Sequence, residues 1–213
     1  YPKRSNRGVE KIMKMEKPKY YNPNVYDDLD FINKCSYFNE WYQLVLPILL
    51  NDEFQRRKLF LHHESSVWNH SIMVSFKSFL VAKFYNLNVY DATIAGLLHD
   101  FYPQAWQYSE ELYNLDPSYL TRYFKKHKKL TELHGFVHGK EAAINAQKYF
   151  PQMVNKRILD SIKYHMFPLT VIPPHYIEGW IVTSMDKKVS VSVFKDIKEL
   201  PNYVGIRLHK VSK

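Results

Sequence analysis

One ten-residue stretch, DATIAGLLHD at residues 91–100, combines the spacing of a buried helix with a His-Asp doublet at its end. Asp91 is a suitable N-cap, and the small and apolar residues after it predict a helix that packs closely on its neighbours. His99 and Asp100 follow at the end of this apolar stretch. Burying an imidazole and a carboxylate costs several kcal/mol unless each finds a partner. Both groups are ordinary metal ligands, so the doublet indicates a metal-dependent enzyme.

Two more polar residues fall within the apolar stretches of other predicted helices. The spacing predicts a helix over 65–86, in which His70 lies at the edge of the apolar stripe. It also predicts a long last helix over 176–200, in which Asp186 shares a row with three valines. A shared cation would explain both anomalies. The expected ligands of one metal ion therefore come from three helices and are His70, His99, Asp100 and Asp186.

A second pair of histidines lies later in the chain. His138 precedes a helix predicted over 140–150, and His165 shares one face with two isoleucines in a helix capped by Asn155. Either ring could instead make ordinary hydrogen bonds. If both bind metal, Asp100 can bridge to a second ion.

The expected ligands restrict the metal and its chemistry. Two imidazoles and two carboxylates suit Fe, Mn, Co, Ni or Zn, with Mg as a less suitable candidate. Such an ion lowers the pKa of a coordinated water molecule and produces a nucleophile near neutral pH. Two ions a few ångströms apart can also clamp the attacking and leaving oxygens of a phosphoryl group.

The composition is that of a folded helical domain and argues against several other classes. Of the 213 residues, 46% are hydrophobic, which is enough for a core. There are only 6 Gly, no GxGxxG or GxxxxGKS/T motif, and a single cysteine, Cys35. A nucleotide fold of those two types, an internal disulfide and a cysteine-based zinc site have no support. We expect an all-α, cytoplasmic protein, since neither a signal peptide nor an apolar run long enough to cross a bilayer is visible.

Charge divides the chain into three parts. Residues 1–26 form a basic arm for which we expect partial disorder, 27–200 form the helical domain, and 201–213 form a basic tail. The formal net charge of +9 favours anionic partners. Because much of the excess charge lies at the two ends, basic tails that help solubility are favoured over nucleic-acid binding. The expected partner is a small phosphorylated substrate, and nucleic acid is possible but not favoured.

The order of the polar residues, H…HD…H…H…D, resembles the HD-domain superfamily of metal-dependent phosphohydrolases. The wider pattern, His62-His63 followed by HMFPLT at 165–170, is similar to an uncharacterised group of bacterial HD phosphohydrolases. The resemblance spans residues 62–190, which is most of the chain. Its matching pieces are Asn69-His70-Ser71, Gly96-Leu97-Leu98-His99-Asp100, His138-Gly139-Lys140-Glu141-Ala142, Lys163-Tyr164-His165 and Met185-Asp186-Lys187.

The resemblance implies an HD-domain-like helical bundle around a central metal site. The implied ligands are His70, His99, Asp100 and Asp186 for a first metal and, as in six-ligand members, His138 and His165 for a second. The chain departs from the pattern at two places. Residues 101–103 read Phe-Tyr-Pro where many relatives carry Ile-Gly-Lys, and Met166 stands where some relatives have a second adjacent histidine.

Weaker candidates surround this set. Lys77, His62 and His63 could contact substrate phosphate, although a lysine that snorkels to the surface and hydrogen-bonded histidines are ordinary alternatives. His134 could protonate the leaving group. The basic cluster at 122–129 is interpreted as a solvated face that could also steer an anionic substrate.

The sequence therefore predicts a phosphohydrolase that cleaves a phosphoester or phosphoanhydride, in the leading interpretation of a nucleotide, by metal-activated water. Asp100 is the central catalytic residue of this prediction. Three alternatives stay open: a phosphodiesterase acting on cyclic or short oligonucleotides, a non-catalytic nucleotide-binding regulatory module, and a di-iron oxygenase that uses similar ligands.

Overall fold

The computed structural model of the protein describes residues 28–62, 65–125, 129 and 132–191. This part of the chain is mostly helical, which confirms the all-α prediction. In chain order the helices are α1 Phe38–Leu49, α2 Asp52–Gln55, α3 Val67–Phe84, α4 Val89–Leu98, α5 Glu110–Leu115, α6 Thr121–Phe124, α7 His134–Tyr149, α8 Lys156–Tyr164 and α9 Ile177–Val191. Within the described ranges, every helix is too short or too polar to cross a membrane.

Short elements complete the described part. Two 3₁₀-helices, Arg56–Leu59 and Pro117–Leu120, follow α2 and α5. Strands β1 Leu61–His62 and β2 Ser65–Ser66 pair antiparallel in a small hairpin that the sequence did not predict. Their two-residue length is too short to leave a visible alternation of apolar and polar residues.

Helices α3 and α4 form the centre of the domain and cross closely. A Cβ on Gly96 would lie 3.0 Å from Ser75 Cα, so a larger residue would require a shift of the backbone. The fully buried Trp41 of α1 donates from Nε1 to Ser75 Oγ at 3.0 Å and ties α1 to this crossing. Helix α9 packs on α3, α4 and α8, and α8 packs on α7. The end of α4 is therefore surrounded by the helices that carry the candidate ligands.

The caps of two helices are linked through Asp91. Helix α4 begins three residues earlier than predicted, because Asn88 rather than Asp91 is its N-cap and accepts from Asp91 N at 3.0 Å. Asp91 is buried and accepts from Asn155 Nδ2 at 2.8 Å. Asn155 caps α8, as predicted. The Asp91 side chain thus joins the starts of two helices instead of capping one.

Other predicted bounds differ from the structure. Helix α7 begins at His134 rather than near residue 140, so it contains both of the histidines expected before it. The basic helix expected after Ser118 is only the short α6, preceded by a 3₁₀ turn. The predicted arm at 1–26, the tail at 201–213 and the end of the last helix to residue 200 lie outside the described residues.

Candidate metal centre

Six side chains that the sequence singled out meet at the centre of the bundle. They come from α3, from the two residues after α4, from α7, from the residue after α8 and from α9. All are buried, with exposures between 0% and 9%. They are His70, His99, Asp100, His138, His165 and Asp186.

Asp100 lies in the middle of this group, and its two carboxylate oxygens face different rings. Oδ1 lies 3.3 Å from His138 Nε2 and 3.8 Å from His165 Nε2. Oδ2 lies 3.5 Å from His99 Nε2 and 3.9 Å from His70 Nε2. One carboxylate thus faces two pairs of imidazoles. The pairs also meet beside it, because the His99 and His165 ring centroids lie 5.0 Å apart.

The pair on the Oδ2 side is completed by Asp186. His70 Nε2 lies 3.0 Å from Asp186 Oδ1, and His99 Nε2 lies 3.7 Å from the same oxygen. The ligand atoms of these three residues all lie within 4.8 Å of one another. This group could therefore hold a metal ion.

The pair on the Oδ1 side is close because α7 and α8 approach at a glycine. A Cβ on Gly139 would lie 2.8 Å from Lys163 O, a contact that real side chains do not make. This close approach lets His138 Nε2 lie 3.0 Å from His165 Nε2. The second predicted pair of histidines is therefore brought together across two helices.

Backbone carbonyls fix which nitrogen of three rings carries the proton. The contacts are His99 Nδ1 to Gly96 O at 2.8 Å, His138 Nδ1 to His134 O at 2.8 Å and His165 Nδ1 to Ile162 O at 2.7 Å. A carbonyl only accepts, so each Nδ1 donates its proton and each neutral ring presents an Nε2 lone pair to the centre. This is the arrangement of metal-ligating histidines.

The charge states also favour a cation. Burial would raise the pKa of Asp100, but the surrounding histidines, led by His99, outweigh it and hold the pKa far below its usual value. Burial would also raise the pKa of Asp186, but its hydrogen bonds with His70 and His99 and the neighbouring imidazoles together hold the pKa well below its usual value. Burial, assisted by nearby imidazoles, lowers the pKa of His165 to about 3. Two ionised carboxylates and a neutral ring are thus available as ligands.

Of the three residues predicted to contact substrate, the structure describes two, His62 and Lys77. His62, on β1, lies at the rim of the centre, with Nδ1 3.9 Å from Asp100 Oδ2 and its ring centroid 4.2 Å from that of His70. His63 lies outside the described residues. Lys77 is only 3% exposed, so it does not snorkel to the surface. Burial, and then the nearby Lys188, lower the pKa of Lys77 to about 8.

His134, at the first turn of α7, lies between two aromatic rings. Its ring is nearly parallel to His138, with centroids 4.5 Å apart, and to Trp106, with centroids 5.3 Å apart. Burial, and then the neighbouring His138, lower the pKa of His134 to about 2. Arg122 Nη1 donates to His134 Nδ1 at 3.0 Å. The ring beside the centre is therefore neutral.

Arg122 and its partner Glu141 were not predicted to lie beside the centre. Arg122 was expected on a solvated basic face, whereas its side chain is 9% exposed and is hydrogen-bonded to Glu141 Oε2. A loop separates Arg122 from His134, so no helical spacing links them. The buried side of the short helix α6 left no periodic signal.

Comparisons of the chain with family models, with curated proteins and with solved structures find no match. Membership of the HD-domain superfamily stays a prediction from the order of the motifs.

Proposed function

We propose that the protein is an HD-type, metal-dependent phosphohydrolase that cleaves a phosphoester or phosphoanhydride of a small phosphorylated substrate, with a nucleotide as the leading class. The proposal is carried by one observation, the division of the Asp100 carboxylate between two pairs of imidazoles. A carboxylate in this position is suited to bridging two cations.

The first cation would be held by two imidazoles and two carboxylates on the Oδ2 side. Its ligands would be His70, His99, Asp100 and Asp186. The second would be held by Oδ1 of the same carboxylate together with His138 and His165. These nitrogen and oxygen donors suit Fe, Mn, Co, Ni or Zn, with Mg as a further candidate.

Two cations held by the two oxygens of the Asp100 carboxylate would supply the chemistry of two-metal sites that cleave phosphoryl groups. When bound, the ions supply a water nucleophile near neutral pH and neutralise charge that develops on the phosphoryl oxygens.

The chain's own residues orient this chemistry. The backbone carbonyls that accept from Nδ1 hold three rings with their lone pairs inward. Asp186 Oδ1, 3.0 Å from His70 Nε2, holds that ring beside α9. His134 is stacked on His138 and would contact the phosphoryl group of a bound substrate. Burial of the ligands excludes bulk water from the reacting atoms.

A metal and substrate screen tests the proposal. Protein purified without chelator is analysed for metal, then incubated with nucleotides and simple phosphoesters in the presence of Mn, Co, Ni, Fe or Mg. Phosphate release with and without an added phosphatase separates monoester from diester cleavage. We expect one or two transition-metal ions per chain and hydrolysis that falls by at least about 100-fold in Asp100→Ala.

The chain offers matched control variants outside the centre. His175 and Asp160 form an exposed pair with Nδ1 2.6 Å from Oδ1, and His175→Gln and Asp160→Asn should retain full activity. Normal hydrolysis and metal content in Asp100→Ala would overturn the proposal. A tight nucleotide complex without turnover under any metal would instead support the non-catalytic binding module.

A further inference from the structure

The contact between Arg122 and His134 fixes the tautomer of His134. Arg122 Nη1 lies 3.0 Å from His134 Nδ1. A guanidinium is always protonated and has only donors, so Nδ1 must accept the hydrogen bond. In the neutral ring the proton then resides on Nε2. His134 is thus held as an Nε2–H donor.

This tautomer is opposite to that of the rings at the centre. In their neutral forms, His99, His138 and His165 carry the proton on Nδ1 and present Nε2 as a lone pair. A nitrogen that carries a proton cannot bind a metal, so His134 is not arranged as a seventh ligand. Within the described residues, its Nε2 makes no hydrogen bond. The ring therefore offers a donor whose acceptor is to be found outside these residues.

The surroundings keep the ring and the guanidinium in place. Trp106 and His138 lie on the two sides of the His134 ring, at interplanar angles of 13° and 20°. Arg122 is tied by its other terminal nitrogen to Glu141. A donor held by such neighbours is pre-organised for one acceptor position.

We infer that His134 Nε2–H forms a subsite for an oxygen of a phosphoryl group, and that Arg122 is the positioning residue that sets its tautomer. The inference rests on the proposed function, because the acceptor is an oxygen of the same anionic substrate. It also changes the role predicted for His134, which donates a hydrogen bond rather than a proton. No covalent step is involved.

The tautomer is tested by NMR on the zinc-loaded protein labelled with ¹⁵N-histidine. We expect the wild-type His134 signal to show a protonated Nε2 and an unprotonated Nδ1. Arg122→Glu places an acceptor opposite Nδ1 and should move the proton to Nδ1, as should the charge-swapped Arg122→Glu/Glu141→Arg. Arg122→Lys retains a donor and should leave the tautomer unchanged. A wild-type ring protonated on Nδ1 would overturn the inference.

The acceptor is tested with inorganic phosphate added to the same zinc-loaded sample. Binding is measured by calorimetry, and the His134 Nε2–H resonance is followed in parallel. We expect the resonance to shift in proportion to occupancy. If phosphate binds while the resonance stays in place, the inference fails and the proposed function stands. If the zinc-loaded protein binds no phosphate, both fail.

Activity gives an independent readout. His134→Ala should lower kcat about 100-fold, the loss typical when one pre-organised donor is removed. His134→Gln can place an amide N–H near the position of Nε2 and should recover most of that loss. Equal losses in both variants, with metal content and folding unchanged, would contradict a donor role.

Discussion

His138 Nε2 and His165 Nε2 face each other at 3.0 Å, although both rings donate from Nδ1 to backbone carbonyls. With both rings neutral, the two facing nitrogens present only lone pairs, which repel. Either a proton or a cation must lie between or beside them. The nearby ionised Asp100, 3.3 Å from His138, favours a cation at this position.

Removal of metal should therefore destabilise the protein. Chelation leaves facing lone pairs and crowded carboxylates without their cation, and returning metal should raise Tm. At 100 times its Kd a single ion contributes about 2.7 kcal/mol, which corresponds to a rise of about 5–10 °C for a chain of this size. Differential scanning calorimetry with and without Mn or Zn measures the shift. Asp186→Asn should reduce it and His175→Gln should not. An identical Tm with and without metal would contradict a metal centre.

His165→Ala should remove one ion and leave the other. The ring faces Asp100 Oδ1 at 3.8 Å, on the side away from Asp186. We expect the metal content to fall from two ions to one, with retention of the ion bound by His70 and His99. Mass spectrometry of desalted protein gives the stoichiometry. Loss of both ions would mean that the two sites do not form independently.

The helical rows and the motif order were enough to select the residues of the centre. His165 and Asp186 were visible because each is a polar residue in an apolar row, and burial without a partner is costly. His70, at the edge of an apolar stripe, was selected by its place in the order of the motifs. His99 and Asp100 were visible as a doublet at the end of an apolar helix. The structure brings all of them together with His138.

What sequence could not reveal depends on contacts between distant segments. Asp91 was predicted to be a cap on local grounds, but Asn88 is the cap, and Asp91 bonds with Asn155 of another helix. Arg122 resembled a surface residue because the tertiary contact that buries it, with His134 and Glu141, crosses a loop. Local propensity carries no information about such pairs.

The metal-free protein should lose stability as the pH rises above neutrality. Burial lowers the pKa of His99, but the charge of Asp100, the hydrogen bond and charge of Asp186 and the hydrogen bond to Gly96 O together outweigh it and raise the pKa from 6.5 to about 9. Because the folded state favours protonated His99, this residue contributes fully to the free energy of unfolding below about pH 6.5. The contribution is lost as the pH rises through about 9. Denaturant unfolding between pH 6 and 10 should show the loss.

The same pH series on two other samples isolates the contribution of His99 to the pH dependence of stability. Metal-loaded protein should show less pH dependence over this range, because ligation requires an unprotonated nitrogen. Metal-free His99→Gln should lack the loss of stability between pH 6 and 10. A wild-type, metal-free stability that is constant from pH 6 to 10 would contradict the raised pKa.

Gly139→Ala should weaken the second metal site more than the first. The new Cβ would lie 2.8 Å from Lys163 O, a rigid backbone atom, so α7 and α8 must separate and carry His138 away from His165. Overpacking of this kind costs about 1–3 kcal/mol of unfolding free energy. Gly135→Ala is the matched control, because its Cβ would meet only the end of the Leu169 side chain, which can move. Metal titrations of the two variants should show weaker binding of one ion in Gly139→Ala alone. Equal metal binding in both would mean that the close approach of α7 and α8 does not hold the site together.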